Sequence, residues 1–188
     1  MNLPNKITIA RICLIPLFMI VLMCGANYEW ANYHIWSAII FAIASLTDGI
    51  DGHIARSRNL VTDFGKFMDP LADKLLVSTA LICFIQLDWI PAYMAVIIIA
   101  REFIVTGLRT LAASKGIVMA AIMTGKIKTV LQMIAILCTM VFSEGLLPLG
   151  EICGYPAIGF VTMAISTVFT IYSGYEYIAK NVDLIKDM

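Results

Sequence analysis

The feature that most restricts this chain is the length of its stretches without a charged side chain. No Asp, Glu, Lys or Arg occurs from Trp30 to Thr47, or from Ile152 to Tyr175. Apolar runs of about 18 residues or more are long enough to cross a bilayer as helices. Six such spans can be drawn, over Ile7–Cys24, His34–Arg56, Phe67–Leu87, Ile90–Ala113, Val118–Phe142 and Ile152–Ala179. Short polar or Gly/Pro-containing joints, such as GANYEWANY, LDWIP, ASKG and SEGLLPLGE, separate them. The expected fold class is all-α, a polytopic membrane protein with six transmembrane helices. Nothing divides the chain further, so residues 1–188 read as a single membrane domain.

The joints also predict an orientation. Lys and Arg gather at the N-terminus, around 56–74, around 101–128 and at the C-terminus. The intervening joints carry only Glu29, Asp88, Glu144 and Glu151. That alternation is the positive-inside pattern for six helices with both termini in the cytoplasm. Tyr28, Trp30, Tyr33, Trp36 and Trp89 are expected to form an aromatic belt at the outer interface. The apolar start behind Lys6 lacks a small-residue cleavage site and reads as a retained first helix, not a signal peptide.

Composition agrees: 61% of residues are hydrophobic and only 14% charged, with Lys+Arg and Asp+Glu balanced at 13 each. A net charge of zero gives no basis for binding nucleic acid. The five cysteines (Cys13, Cys24, Cys83, Cys138, Cys153) are odd in number and have no CxxC spacing. They read as small packing residues, not as a disulfide framework or a metal site.

Against that background, residues 48–73 are out of place. Asp48 and Asp51 stand three apart at the inner end of the second span, and Asp69 and Asp73 four apart at the start of the third. Those spacings put each pair on one helix face. An antiparallel hairpin of the two helices would make the four carboxylates converge. Carboxylates crowded together repel one another and resist desolvation. Hard divalent cations with a taste for oxygen, Mg²⁺ or Mn²⁺, relieve both penalties. Two such ions bridged by carboxylates form the usual clamp for phosphoryl transfer. Asp69–Pro70 also has the form of a helix start, with Asp as cap and Pro in the first turn. The plainer alternative is four interfacial aspartates near the headgroups, against which their patterned spacing argues.

Other residues in this stretch suit a nucleotide. Gly52 and Gly65 would let one approach the backbone, although Gly65 also suits a helix start. Arg56 matches a diphosphate through paired hydrogen bonds, or anchors a cytoplasmic helix end, the role that better fits Arg58. Thr62 offers a hydroxyl in the joint.

The string Asp48-x2-Asp51-Gly52-x2-Ala55-Arg56-x8-Gly65-x3-Asp69-x3-Asp73 resembles the complete signature of the CDP-alcohol phosphatidyltransferase family, with every fixed position present. The six-span layout resembles the family as well. The opening NLPNKITIARICLIPLF and the stretch AREFIVTGLRTLAA…GKIKTVLQM look most like its branch that joins CDP-diacylglycerol to glycerol 3-phosphate and releases CMP. The resemblance implies an enzyme in which Asp48, Asp51, Asp69 and Asp73 hold two Mg²⁺ or Mn²⁺ ions and Asp73 is also the general base. It assigns Asn5, Thr8, Gly52, Arg56, Thr62 and Gly65 to the CDP-lipid. It further implies a homodimer in the cell membrane with the site facing the cytoplasm.

The acceptor, if a phosphoalcohol, is an anion and needs cations. Asn5, Thr8 and Arg11 recur every three residues and share a stripe on the first span. Arg11, Arg101, Arg109 and Lys126 are the candidates for the acceptor phosphate. Arg101–Glu102 reads equally well as an ion pair that holds helices together. Lys126 and Lys128 point to different faces, so only one of them reaches a common pocket. Rival readings are a family member with another acceptor (a phosphatidylserine, phosphatidylinositol-phosphate or cardiolipin synthase), an intramembrane prenyltransferase, and a cation channel or transporter. A conduit would need polar residues in the outer halves of the spans, which are almost purely apolar.

Overall fold

The computed structural model describes residues 3–57, 63–114, 123–143 and 150–182, with side chains throughout except at 3–7, 48–57, 63–64 and 66–67. The described residues form six helices: α1 Leu3–Asn27, α2 Tyr33–Ser57, α3 Asp63–Gln86, α4 Ala92–Ser114, α5 Met123–Phe142 and α6 Ala157–Lys180. The all-α fold expected from the apolar runs is present. Three of the helices, over Thr8–Asn27, Met123–Phe142 and Ala157–Lys180, are long and apolar enough to cross a membrane within the described residues.

The helices are inside-out relative to those of a water-soluble bundle. On α5, Lys128, Gln132 and Thr139 are buried while Ile127, Val130 and Ile134 are exposed. On α6, Ser166, Thr167, Thr170 and Ser173 face inward while Ile165, Val168 and Ile171 face outward. Such a surface is stable only against lipid, and the chain is a membrane protein on this ground. In hydrocarbon each polar group needs a partner within the protein. The hydroxyls of Ser37, Thr139, Thr167 and Thr170 donate to carbonyls four residues back in their own helices, at 2.7–2.8 Å.

Helix α1 packs against α2 and α3, α5 against α6 and α2, and α4 against α6. Phe18 of α1 meets Phe41 of α2 with ring centroids 5.8 Å apart, inside a core that continues through Leu22, Leu76, Leu81, Phe84, Ile98 and Ile136. The α1–α2 turn depends on Gly25. A Cβ there would sit 2.3 Å from Cβ of Tyr33, a position no rotamer of Tyr33 can vacate. Gly25→Ala is therefore expected to cost about 1–3 kcal/mol through overpacking, read as a lowered Tm in detergent. Gly107→Ala, with open space around it, serves as control and should hold or slightly raise Tm. Equal Tm for both variants would refute the close approach.

Three local expectations are corrected. Helix α3 begins at Asp63 and runs through Pro70, so Asp69 is not a helix cap. An interior proline loses one N–H bond and crowds the carbonyl four residues back, yet α3, packed along α1, continues through it. The last span does not begin at Ile152: Glu151–Ile152 and Tyr155–Pro156 pair as a small antiparallel hairpin before α6. Its two-residue loop, Cys153–Gly154, has φ of 56° and 81°, the left-handed geometry of a tight hairpin turn. Finally, Tyr28, Trp30 and Trp36 are exposed as a belt requires, but Tyr33 and Trp89 are buried. Trp89 packs against Phe84 in a tilted ring contact, centroids 5.4 Å apart, because Asp88, at φ 54°, turns the chain back onto the core.

Candidate active site

Asp69 and Asp73 lie one turn apart on α3 and are both partly buried. The packing of α1 on α3 sets Thr8 against the first of them: its hydroxyl donates to Oδ1 of Asp69 at 2.6 Å. Thr8 is 1% exposed, so this contact is sheltered from solvent. Arg11, one turn along α1, is also buried at 1%. The α1 stripe expected from the sequence thus faces the protein interior at Thr8 and Arg11.

Asp73 lines a cavity of about 20 Å³ together with Ser78, Glu102, Lys128 and Gln132. The space admits roughly one water-sized group. Three helices meet here: α3 brings Asp73, α4 Glu102, and α5 Lys128 and Gln132. Lys128 is 2% exposed and forms an ion pair with Glu102. Arg101 donates from Nη1 to the same carboxylate at 3.2 Å and from Nη2 to the Ser173 hydroxyl of α6 at 2.8 Å. A Cβ at Gly174 would meet Cγ of Arg101 at 3.1 Å, so the glycine lets the arginine lie flat across α6. Farther along α4, Arg109 is exposed, yet its Nε donates to the Tyr177 hydroxyl at 3.2 Å and its guanidinium sits 5.2 Å from the ring centroid.

Both readings of Arg101–Glu102 have a counterpart in this arrangement. The two residues pair within α4, the links to other helices run from Glu102 to Lys128 of α5 and from Arg101 to Ser173 of α6, and the Glu102 carboxylate also borders the cavity beside Asp73. Of the two lysines on α5, Lys128 is buried and Lys126 exposed. Gly65 is buried within α3. The side chains of Asn5, Asp48, Asp51 and Arg56, the surroundings of Gly52, and the whole of Thr62 lie outside the described residues. Among the described residues no three His, Cys, Asp or Glu side chains group as metal ligands.

Sequence reasoning did not single out Ser173 or Tyr177, and it favoured Lys126 over Lys128. A signal for Lys128 was available. Lys128, Gln132, Ala135, Ile136 and Thr139 fall on one helical face, and all are buried on α5.

Comparison with known proteins adds independent findings. The family model for CDP-alcohol phosphatidyltransferase matches residues 1–172. The chain is 49% identical to the CDP-diacylglycerol–glycerol-3-phosphate 3-phosphatidyltransferase of Bacillus subtilis (strain 168), across 98% of this chain and 97% of that protein. It is 40% identical to the protein of the same description in Rickettsia typhi, across 94% of each chain. It is 36% identical to a probable phosphatidylglycerophosphate synthase of Mycobacterium tuberculosis, across 95% of this chain and 81% of that protein.

Proposed function

Because the chain belongs to the CDP-alcohol phosphatidyltransferase family, we propose that it transfers the phosphatidyl group of CDP-diacylglycerol to glycerol 3-phosphate and releases CMP. The 49% identity, over nearly the whole of both chains, to the Bacillus subtilis transferase of that description supports the choice of acceptor. The site belongs at the cytoplasmic face of the cell membrane, in line with the positive-inside pattern. By family resemblance the working unit is a homodimer.

The donor chemistry fits divalent metal ions. Asp69 and Asp73 offer hard oxygen ligands at partly buried positions on α3, and the Thr8 hydroxyl orients the Asp69 carboxylate by donating to Oδ1. Asp48, Asp51, Asp69 and Asp73 would hold two Mg²⁺ or Mn²⁺. Bound there, the ions supply positive charge that neutralises the diphosphate and the departing CMP.

The protein's own groups do the rest. The acceptor hydroxyl oxygen attacks the phosphorus on the lipid side of the diphosphate. The bond from that phosphorus to the bridging oxygen breaks, and CMP leaves with the electron pair. Asp73 takes the hydroxyl proton, as a carboxylate at the reacting oxygen can. Arg11, Arg101, Arg109 and Lys126 are the proposed cations for the acceptor phosphate, with Lys128 added by its burial beside Asp73. Arginine suits this task through paired hydrogen bonds to phosphate oxygens. Asn5, Thr8, Gly52, Arg56, Thr62 and Gly65 are assigned to the CDP-lipid.

The test is CMP release by the purified protein with CDP-diacylglycerol and Mg²⁺ or Mn²⁺. Glycerol 3-phosphate, serine, inositol phosphate and phosphatidylglycerol are supplied in turn. Release is expected only with glycerol 3-phosphate, and should vanish on chelation of the metal and return on its readdition. Release with another acceptor would overturn the acceptor assignment, and none with any acceptor would overturn the reaction.

A further inference from the structure

The contact between Arg109 and Tyr177 does more than join two helices. Arg109 lies near the end of α4 with its side chain exposed. An exposed arginine samples many rotamers, and fixing one costs side-chain entropy. Tyr177 is 2% exposed, so its ring is a rigid platform. It holds Arg109 in two independent ways: its hydroxyl accepts from Nε at 3.2 Å, and its ring lies 5.2 Å from the guanidinium carbon. Engaging Nε leaves the Nη1–Nη2 edge of the fork for an oxyanion, an edge that matches two phosphate oxygens. The same face of α6 treats the other arginine of α4 alike, since Ser173, one turn before Tyr177, holds Arg101 at 2.8 Å.

We propose that Tyr177 is a positioning residue for acceptor binding: it orients Arg109 in advance so that the guanidinium meets the acceptor phosphate at little entropic cost. This rests on the reading of Arg109 as a ligand of the acceptor phosphate. A plain α4–α6 latch would instead show itself in stability and in both substrates alike.

The experiment measures kcat and both KM values for the parent, Arg109→Ala, Tyr177→Phe and the double variant, with CDP-diacylglycerol and glycerol 3-phosphate. Tyr177→Phe keeps the ring and the packing, so it should fold like the parent, which Tm in detergent checks. It is expected to raise the KM for glycerol 3-phosphate about fivefold, the equivalent of one hydrogen bond of about 1 kcal/mol. The KM for the CDP-lipid and kcat should stay unchanged. Arg109→Ala should raise the acceptor KM further, and adding Tyr177→Phe to it should change nothing more. Additive effects in the double variant, or an equal rise in both KM values, would overturn the proposal. So would an unchanged acceptor KM in Tyr177→Phe beside a raised one in Arg109→Ala, with the acceptor-site reading intact. An unchanged acceptor KM in Arg109→Ala itself would remove the acceptor-site reading, and this proposal with it.

Discussion

Asp73→Asn is expected to lower CMP release by about 10³-fold, within the range that a positioned general base contributes. The substitution preserves shape and hydrogen-bonding capacity but removes the charge and the basic lone pair. Tm should stay near that of the parent, and binding of the CDP-lipid should persist in part, because the other three aspartates are retained. The two carboxylates of α3 differ in their surroundings. Asp69 accepts the Thr8 hydroxyl at 2.6 Å, whereas Asp73 borders the cavity that also holds the Lys128–Glu102 pair. Turnover at the parental rate in Asp73→Asn, with the protein folded, would remove Asp73 from the mechanism.

Much of this fold was legible because hydrophobicity over about twenty residues is a strong signal and lipid leaves the backbone few alternatives. The six helices follow from it. The failures are local and share a cause. Pro70 predicts a helix start from the local chain, but α3 continues through it because α1 packs alongside. Trp89 looks like an interfacial residue by type and position, yet the left-handed turn at Asp88 returns it to the core. The hairpin at Glu151–Pro156 was hidden inside a segment whose apolar content reads as helix, although Gly150 and Gly154 were visible. In each case a tertiary contact or a backbone conformation outweighs a local preference.

The candidate site divides in the same way. The four aspartates stand out because their spacing is fixed within two adjacent helices. The polar partners on α4, α5 and α6 have no comparable motif. Their roles depend on which face each helix turns inward. Lys126 and Lys128 are two residues apart and chemically identical, and only the buried stripe through Gln132 and Thr139 separates them. Ser173 and Tyr177 are still less visible, since a serine hydroxyl on an apolar helix can bond to its own backbone and a tyrosine there reads as a packing ring. Their significance comes from the arginines opposite, 72 and 68 residues away in sequence.

Glu102→Ala is expected to destabilise the protein by about 3–5 kcal/mol, the usual result of leaving a buried charge without its partner. For a chain of this length that is on the order of 10 °C in Tm. Lys128 is 2% exposed, and the Glu102 side chain 21%. The ammonium left behind would have little water to replace the carboxylate, and Arg101 would add repulsion to the lost attraction. The Glu176–Lys180 pair of α6 is the useful contrast, because its lysine is 58% exposed. Glu176 is itself only 20% exposed, but the charge left behind is a hydrated lysine, so removing Glu176 should lower Tm far less than Glu102→Ala does. The decisive variant is Glu102→Ala combined with Lys128→Met, which removes both charges and keeps an unbranched apolar chain on α5. If the ion pair is mainly a scaffold, the double variant regains most of the lost Tm and turns over normally. If Lys128 also serves the acceptor, Tm returns while the KM for glycerol 3-phosphate stays high. Parental stability in Glu102→Ala alone would show that the pair is not sheltered, and would withdraw Lys128 from the buried polar cluster beside Asp73.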